Sequence, residues 1–207
     1  MNVVILCDGT PPKPEQLKKE LKNSSLFIAA DGGAFTADRM GVHPDVIIGD
    51  LDSYQKTGQE PGEVIHDPDQ ETNDLEKALA YAYKMEANHV TVFGATGKRL
   101  DHTLKNLSVL KQFHNQFESI IFKDRYSDLF LLPIHFETEL PMKTTVSLFP
   151  LSGKVDGIST RGLKYSLTDG VLENGVQDGS SNETIENKIE IVHKKGDLLI
   201  FINHKTD

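Results

Sequence analysis

The sequence lacks several features that would point to a specialised class of protein. It has no tryptophan, a single cysteine (Cys7) among 207 residues, and no apolar run near the roughly 18 residues of a membrane-spanning helix. One cysteine excludes an internal disulfide and a cysteine-rich zinc cluster, so we expect Cys7 to be a small buried residue of a strand. The amino-terminal residues carry no basic segment and reach Asp8 and Pro11 early, which argues against a signal peptide.

Positive charge is also scarce. The chain has 22 lysines and arginines against 31 aspartates and glutamates, a net charge of −9 with histidine neutral. Nucleic acids and anionic membranes are bound through basic faces, so both are disfavoured as partners. The apolar fraction of 38% with 16 glycines is that of an ordinary globular domain. The composition therefore predicts a soluble, cytoplasmic protein, and the open question is whether its carboxylates are spread out or gathered at one site.

Short apolar runs and amphipathic segments alternate in the first part of the chain. Strands are predicted at Val3–Leu6, Leu26–Ala30, Val46–Ile48, Val64–His66, Val90–Phe93 and Ser119–Phe122. Helices are predicted from Pro14, over Ala34–Met40, from near Asn73 with Asn73 and Glu76 as a capping box, and after Gly97 with Leu100, Leu104, Leu107, Leu110 and Phe117 on one broad face. This alternation predicts an α/β N-terminal domain with a mainly parallel sheet over residues 1–125.

The second part of the chain does not alternate. Its strand-like runs are Leu129–Leu132, Thr145–Phe149, Val155–Ser159, Leu163–Leu167, Lys188–Val192 and Leu198–Ile202. Glycine-containing turns separate them, and no long helical pattern is present. Short strands at these intervals predict an all-β C-terminal sandwich domain over residues 126–207.

Polar clusters lie where strands of the first part give way to loops, at the edge where parallel sheets bind ligands. The segment Asp31-Gly32-Gly33 follows the second strand, and its glycines would let the backbone approach an anion. A tight turn capped by Asp31 explains that segment at least as well. After the third strand, Asp50 and Asp52 are spaced to share a divalent cation, and their hard oxygen ligands suit Mg²⁺. Their position after an apolar strand favours a metal site over a polar turn.

Further clusters are ambiguous when taken singly. Gln70–Lys77 has the acidic residues of an ordinary helix start. Gly94–His102 lacks the spacing of a P-loop, yet a glycine-rich loop with Lys98 and Arg99 before a helix suits a polyphosphate. His102 is interpreted as structural. In the second part, Gly162–Tyr165 and Gly179–Glu183 are interpreted as turns.

Taken in order, these segments resemble the thiamine pyrophosphokinase family over nearly the whole chain. The motifs are ADGGA at Ala30–Ala34, PDVIIGDLDS at Pro44–Ser53, DQETNDLEKAL at Asp69–Leu79, GATGKRLDHTLKN at Gly94–Asn106, GLKYSL at Gly162–Leu167 and SSNE at Ser180–Glu183. The resemblance implies an ATP-binding α/β domain, a β-sandwich domain, and a homodimer with thiamine bound between the subunits. It also implies Mg²⁺-dependent transfer of a pyrophosphoryl group from ATP to the thiamine hydroxyl, which gives thiamine diphosphate and AMP.

The same resemblance implies roles for individual residues. The implied catalytic residues are Asp50, Asp52, Asp74, Arg99 and Asp101, the first three as Mg²⁺ ligands. The implied nucleotide, phosphate and substrate contacts are Asp31, Gly32, Gly33, Gln70, Asn73, Arg99 and Asp101, with Ser181 and Asn182 on the thiamine side. Asn73 stands where the family commonly has Thr, and Lys98 where it commonly has a small residue. Without tryptophan, the ring partner of thiamine must be Tyr, Phe or His, and Tyr165 is a candidate.

Two other functions stay open on the sequence. An Asp-x-Asp after a strand also suits a metal-dependent phosphatase with an aspartyl-phosphate mechanism, although the β-rich second half fits that class poorly. A non-enzymatic nucleotide or thiamine sensor that kept the fold is the other alternative. The presence of Asp31, Asp50, Asp52 and Asp74 together favours metal chemistry over the sensor.

Overall fold

The chain forms two compact units. A computed structural model describes residues 1–54, 58, 60 and 62–204. The first unit is Met1–Arg125 and the second is Tyr126–Asp207.

The N-terminal unit is a parallel sheet with four α-helices and one short 3₁₀ helix (His114–Gln116) among the described residues. Its strands are β1 (Asn2–Leu6), β2 (Leu26–Ala30), β3 (Val46–Gly49), β4 (Glu63–His66), β5 (His89–Phe93) and β6 (Ser119–Lys123). Its helices are α1 (Pro14–Leu21), α2 (Gly33–Arg39), α3 (Asp74–Lys84) and α4 (Leu100–Phe113). The strands and helices alternate along the chain as predicted, except that no helix lies between β3 and β4 among the described residues.

The strand order in this sheet is β6-β5-β1-β2-β3-β4, and its strand pairs are parallel. The chain builds outward from β1 on one side through β4, and then returns to place β5 on the other side of β1. The loops after β1 and β5 therefore diverge, which makes this edge the topological switch point where open α/β sheets bind ligands.

Continuous apolar runs explain why these strands lie in the interior. Val3–Leu6 and Phe27–Ala30 are buried throughout, because a parallel sheet with helices on its faces leaves neither face of a central strand in water. Leu17 of α1 packs in the same cluster as Val4 and Phe27. Burying a side chain of this size stabilises the fold by about 1.5–3 kcal/mol.

The C-terminal unit consists of antiparallel strands. They are β7 (Ser127–Leu131), β8 (His135–Glu139), β9 (Thr145–Pro150), β10 (Val155–Arg161), β11 (Gly170–Leu172), β12 (Gly179–Glu183), β13 (Lys188–Val192) and β14 (Leu198–Asn203). One set pairs in the order β12-β9-β14-β7 and the other in the order β11-β10-β13-β8. A core that includes Leu148, Ile158, Ile189 and Ile200 is fully apolar. The predicted fold class, an α/β unit followed by an all-β unit, is confirmed.

The predicted face of α4 was wrong in its first turns. Leu100 is 70% exposed and Leu104 is 59% exposed. Leu110 is buried as predicted, together with Asn106 and Val109, which were not predicted. The polar Asn106 hid this face in the sequence, because its buried amide is paired and so tolerates the interior.

Two assignments in the C-terminal unit were also wrong. Leu163–Leu167 is not a strand, because the side-chain amide of Asn182 takes up both backbone polar groups of Tyr165 and so replaces a strand partner. Conversely, Gly179–Glu183 is a strand rather than a turn, and its polar sequence concealed the pairing with β9. The short strands β8 and β11 were not predicted.

Among the residues that the structure describes, no helix is long and apolar enough to cross a membrane.

Candidate active site

A cleft of about 330 Å³ opens at the switch point of the parallel sheet. Most of its lining residues follow strands or lie at the starts of helices. They are Cys7, Asp8, Gly9, Ala30, Asp31, Gly32, Ser53, Asn73, Asp74, Leu75, Gly94, Ala95, Gly97, Lys98, Arg99, His102 and Asn106. Cys7 lies just after β1 rather than within it, and burial raises the pKa of its thiol. The cleft is therefore built from loops of the N-terminal unit, with an uncharged thiol at its base.

Three carboxylates converge beside this cleft. Asp31, Asp50 and Asp52 each offer an oxygen within 4.8 Å of the others. Asp31 follows β2 in a left-handed conformation (φ 39°), and the backbone N–H of Tyr54 donates to its Oδ1 at 3.2 Å. Leu51, between the other two acids, is also left-handed (φ 60°). Such backbone is uncommon for residues with a Cβ, and here it turns the chain so that Asp50 and Asp52 face Asp31.

Asp50 is held as an ionised acceptor. Gln70 donates its side-chain N–H to Asp50 Oδ2 at 3.0 Å, and the backbone N–H of Asp52 donates to Oδ1 at 3.1 Å. The hydrogen bond from Gln70, followed by that from Asp52, lowers the pKa of Asp50. Gln70 was expected to contact phosphate, and in this structure its amide donates to the carboxylate of Asp50.

Asp74 adds a fourth carboxylate from the first turn of α3. Gly49 lacks the room for a Cβ, which would lie 2.8 Å from Asp31 Cβ and 2.9 Å from Asp74 Oδ1. Burial, reinforced by the charge of Asp31, raises the pKa of Asp74 from 3.8 to about 6. The structure thus places Asp31 in the closest group with Asp50 and Asp52, while Asp74 lies next to that group.

A buried lysine, Lys77, lies next to these acids and was not predicted from the sequence as a site residue. The Lys77 side chain is only 2% exposed, and its ammonium lies 4.0 Å from Asp74 Oδ1. The same ammonium donates to the backbone carbonyl of Asp67 at 2.8 Å. Buried charges need partners, and this cation offsets part of the repulsion among the acids. The sequence signal for its burial was the position of this lysine among the apolar helix residues Leu75, Ala78 and Leu79.

Asn73 is a cap and a brace at once. Its Oδ1 accepts from the backbone N–H of Glu76 at 2.9 Å, and Glu76 accepts from the Asn73 backbone N–H at 3.0 Å, which confirms the predicted capping box. Asn73 Nδ2 donates to Asn106 Oδ1 at 2.8 Å, and Asn106 donates to the Ala95 carbonyl at 2.8 Å. These bonds tie the start of α3 to α4 and to the loop after β5.

The glycine-rich loops fit closely together. The backbone N–H of Gly9 donates to the Gly94 carbonyl at 2.8 Å, and that of Thr10 to the Thr96 carbonyl at 2.7 Å. Gly32 lines the cleft, as expected for a residue that lets a ligand approach. Gly33 instead packs against β1, because a Cβ there would lie 2.0 Å from the Leu6 carbonyl oxygen.

Cations approach the cleft from the loop after β5. Arg99 forms a two-point ion pair with Asp101, with Nε 3.1 Å from Oδ1 and Nη2 2.5 Å from Oδ2. Asp101 therefore orients Arg99 in this structure. Lys98 pairs across the cleft with Asp8 at 2.8 Å. Asp8 follows β1 at the same sheet edge. The rule that ligand-binding residues follow the carboxyl ends of parallel strands would therefore have identified Asp8 as well.

Ser181 and Asn182 lie in the C-terminal unit, on β12. Asn182 is buried and its amide holds Tyr165, while its Oδ1 also accepts from the Glu183 backbone N–H at 2.8 Å. Ser181 is exposed, and its backbone N–H donates to Ser147 Oγ at 3.0 Å.

A second cavity of about 200 Å³ is lined by Leu148, Thr160, Tyr165, Leu167, Leu172, Gln177, Asp178, Gly179, Ser180 and Asn182. Asn182 thus shapes this cavity, and the 63% exposed ring of Tyr165 borders it.

The C-terminal unit also has a cluster of His135, Glu137 and Glu190 with ligand atoms within 4.8 Å. Glu137 pairs with Lys188 at 2.7 Å, and Glu190 pairs with His135 at 3.0 Å. Both glutamates already have cross-strand partners, since Arg161 also lies 3.5 Å from Glu190, so the cluster is explained as a cross-strand network of side chains.

The acids of the N-terminal unit fit a hard divalent cation. Asp31, Asp50 and Asp52 offer only oxygen ligands, and Mg²⁺ commonly uses one or two carboxylates together with substrate phosphates. The neighbouring Lys98 and Arg99 suit the remaining charge of a polyphosphate.

Comparison with known proteins agrees with this geometry. The sequence family model of the thiamin pyrophosphokinase catalytic domain matches residues 17–122. The family model of the thiamin pyrophosphokinase vitamin B1 binding domain matches residues 132–198. The chain belongs to the thiamin pyrophosphokinase family. The resemblance seen in the motifs is confirmed, and pyrophosphoryl transfer from ATP to thiamine is the reaction of this family.

Individual thiamin pyrophosphokinases match over most of the chain. Thiamin pyrophosphokinase 1 of Caenorhabditis elegans is 27% identical over 97% of this chain and 88% of its own length. Thiamine pyrophosphokinase of Bacillus subtilis is 26% identical over 85% of this chain and 86% of its own length. Thiamine pyrophosphokinase 1 of Oryza sativa subsp. japonica is 30% identical over 74% of this chain and 64% of its own length.

Solved structures share the fold. Thiamine pyrophosphokinase from Bacillus subtilis aligns with a TM-score of 0.85 at 22% identity over 100% of both chains. The enzyme from Candida albicans aligns with a TM-score of 0.88 at 19% identity over 99% of this chain and 89% of that one.

Proposed function

We propose that this chain is a Mg²⁺-dependent thiamine pyrophosphokinase whose ATP site is the cleft of the N-terminal unit. The observation that carries the proposal is the convergence of Asp31, Asp50 and Asp52 within 4.8 Å beside a loop that presents Lys98 and Arg99. Such an arrangement suits a metal–polyphosphate complex, because bare carboxylates would repel ATP.

Mg²⁺ would be held by Asp50 and Asp52, with Asp31 and Asp74 as the neighbouring acids, and would neutralise phosphate charge as the reaction proceeds. The Gln70 amide keeps Asp50 in place as an acceptor. Lys77 balances the group from below, so that the acids stay close together before the nucleotide arrives.

In the reaction, the thiamine hydroxyl oxygen attacks the β-phosphorus of ATP while the bond from that phosphorus to the α,β-bridging oxygen breaks. AMP leaves with the electron pair of that bond, and the proton of the hydroxyl passes to solvent water. Transfers of this type depend on positioning and charge neutralisation more than on a protein nucleophile. Arg99, oriented by Asp101, steadies the phosphates with its planar donor fork, and Asp74 positions the attacking hydroxyl.

The C-terminal unit supplies the thiamine side. Its cavity combines the Tyr165 ring, the Asp178 carboxylate and apolar side chains, which suits a flat cationic heterocycle. Ser181 and Asn182 belong to the same strand, and Asn182 holds Tyr165. We also propose a cytoplasmic homodimer with the active site between subunits, which rests on the family resemblance.

The decisive assay is incubation of the protein with ATP, Mg²⁺ and thiamine, followed by separation of the nucleotides. We expect AMP and thiamine diphosphate in a one-to-one ratio. ADP would instead indicate a monophosphate kinase, and free phosphate a phosphatase. Binding of ATP or thiamine without turnover would support the sensor. Any of these three results overturns the proposal.

A further inference from the structure

One ion pair spans the cleft between its two glycine-rich loops. Lys98 Nζ lies 2.8 Å from Asp8 Oδ1, and both residues line the cleft. Their side chains are 50% and 52% exposed, so both are open to a ligand. The loops that carry them are joined by the Gly9–Gly94 and Thr10–Thr96 backbone hydrogen bonds, which keep the two loops next to each other.

Asp8 occupies space that a ligand anion would need. Its carboxylate also reaches the loop after β2, since a Cβ on Gly32 would lie 3.0 Å from Asp8 Cγ and 3.3 Å from Oδ2. Gly32 faces the cleft as well. The carboxylate of Asp8 therefore stands between Lys98 and the Gly32 backbone, in the part of the cleft assigned to nucleotide.

Lys98 is held in a sparsely populated conformation. Its φ is 53°, in the left-handed region that favours glycine, and it follows Gly97 at φ 85°. A lysine that occupies such backbone brings a flexible, compact point charge into the cleft, where Arg99 is already engaged by Asp101.

We propose that Lys98 is a nucleotide-binding residue that exchanges the carboxylate of Asp8 for the phosphates of ATP. Asp8 acts as the counter-ion of Lys98 in the free enzyme. The exchange costs little, because an exposed ion pair contributes little net stability. The new contact is between the ammonium and a phosphate of higher charge. Binding of ATP therefore includes the release of Asp8, and Asp8 weakens that binding. The inference rests on the proposed function, which supplies the nucleotide.

The test compares the binding of Mg²⁺-α,β-methylene-ATP to the wild-type protein and to Lys98→Met, Asp8→Asn and the double variant, by calorimetry. The probe cannot react at its α,β position, so binding is measured without turnover. We expect Kd to rise about tenfold in Lys98→Met, because a charge-assisted contact is lost. We expect Kd to fall about threefold in Asp8→Asn, with the double variant between the two single variants.

The opposite signs of the two single variants distinguish exchange from a structural role. A pair that merely braced the loops would weaken binding in both variants, and that result overturns the inference. So do Kd values that differ from wild type by less than twofold. Lys98→Gly, which suits the positive φ, must weaken binding as Lys98→Met does, and this guards against misfolding of the methionine variant.

A matched control exists in the C-terminal unit. Lys154 and Asp156 form an ion pair of the same length, 2.8 Å, with side chains 51% and 41% exposed. Lys154→Met and Asp156→Asn change the net charge equally and should leave Kd unchanged. If wild-type protein binds the probe but the cleft variants behave like these controls, only this inference fails. If wild-type protein does not bind the probe, both this inference and the proposed ATP site fail.

Discussion

The two units of this chain carry cavities of different chemistry. The cleft of the N-terminal unit gathers Asp8, Asp31 and Asp74 with Lys98 and Arg99 in its lining. The cavity of the C-terminal unit has one acid in its lining, amid leucines, hydroxyls and a tyrosine ring. The first suits a metal–polyphosphate complex and the second an organic ring. The clustered carboxylates of the N-terminal unit can thus accept a polyphosphate only together with a cation.

The units also position their side chains by different means. In the N-terminal unit, Asp31 and Asp50 lie where they do because parallel strands end there. In the C-terminal unit, the Tyr165 loop is held by the side chain of Asn182 rather than by strand pairing. Topology therefore determines the first site, while a single buried amide determines the second. Substitutions should separate them.

The largest effect is expected at the acids. Asp50→Asn removes a charge from the group formed with Asp31 and Asp52, and we expect kcat to fall by more than about 100-fold, since metal and phosphate charge stabilisation is lost. Activity is measured at saturating ATP and thiamine, with circular dichroism to show that the fold persists. Asp156→Asn serves as a charge-matched control. Retention of a tenth or more of the wild-type kcat would contradict the assignment of Asp50.

A smaller and more selective effect is expected at Asn182. Asn182→Ala removes three hydrogen bonds and leaves the Tyr165 loop without its anchor. We expect KM for thiamine to rise about tenfold while KM for ATP stays within twofold, because roughly 1–2 kcal/mol of loop positioning is lost from one site alone. Steady-state kinetics with each substrate varied separately measure both constants. An equal rise in both KM values would break the division between the units.

The smallest effect concerns stability and pH. Burial and Asp31 raise the pKa of Asp74 from 3.8 to about 6, so the folded state binds its proton more tightly than the unfolded state does. The ionised carboxylate therefore destabilises the metal-free fold as pH rises through this interval. We expect Asp74→Asn to increase the free energy of unfolding by about 1 kcal/mol at pH 7.5, a value discounted for solvent screening.

The Asp74→Asn gain should be largely lost at pH 3, below the ordinary pKa of 3.8, where both the folded and the unfolded state bind the proton. Urea denaturation in the presence of a chelator at pH 7.5 and pH 3 measures the difference. A stability gain that was the same at both pH values would show that the charge of Asp74 is not its cause.

The N-terminal unit was more predictable than the C-terminal unit, for a physical reason. Buried parallel strands are continuous apolar runs, so β2 was predicted with its observed limits. Strand β12 is polar, since it lies at the end of its sheet order. Backbone pairing without burial leaves no apolar pattern by which the strand could be recognised in the sequence. The error at Leu163–Leu167 has the same origin, because the partner of that backbone is a side chain distant in sequence.

The residues of the candidate site also differed in how far they could be predicted from the sequence. The acids at strand ends were identified from the sequence, because their position relative to the sheet is set by the local pattern. Lys77 and the Asn73–Asn106 contact were not, since their roles depend on packing between α3 and α4. The ion pair of Lys98 with Asp8 joins residues far apart in the chain, and only the three-dimensional fold brings them together.

The central claim is that the acid-rich cleft accepts ATP only together with a divalent cation. Calorimetric titration of the protein with ATP, once with Mg²⁺ and once with a chelator in its place, tests it most directly. We expect binding at least about tenfold weaker without Mg²⁺, because the acids then repel the phosphates. Equally tight binding under both conditions would contradict the account.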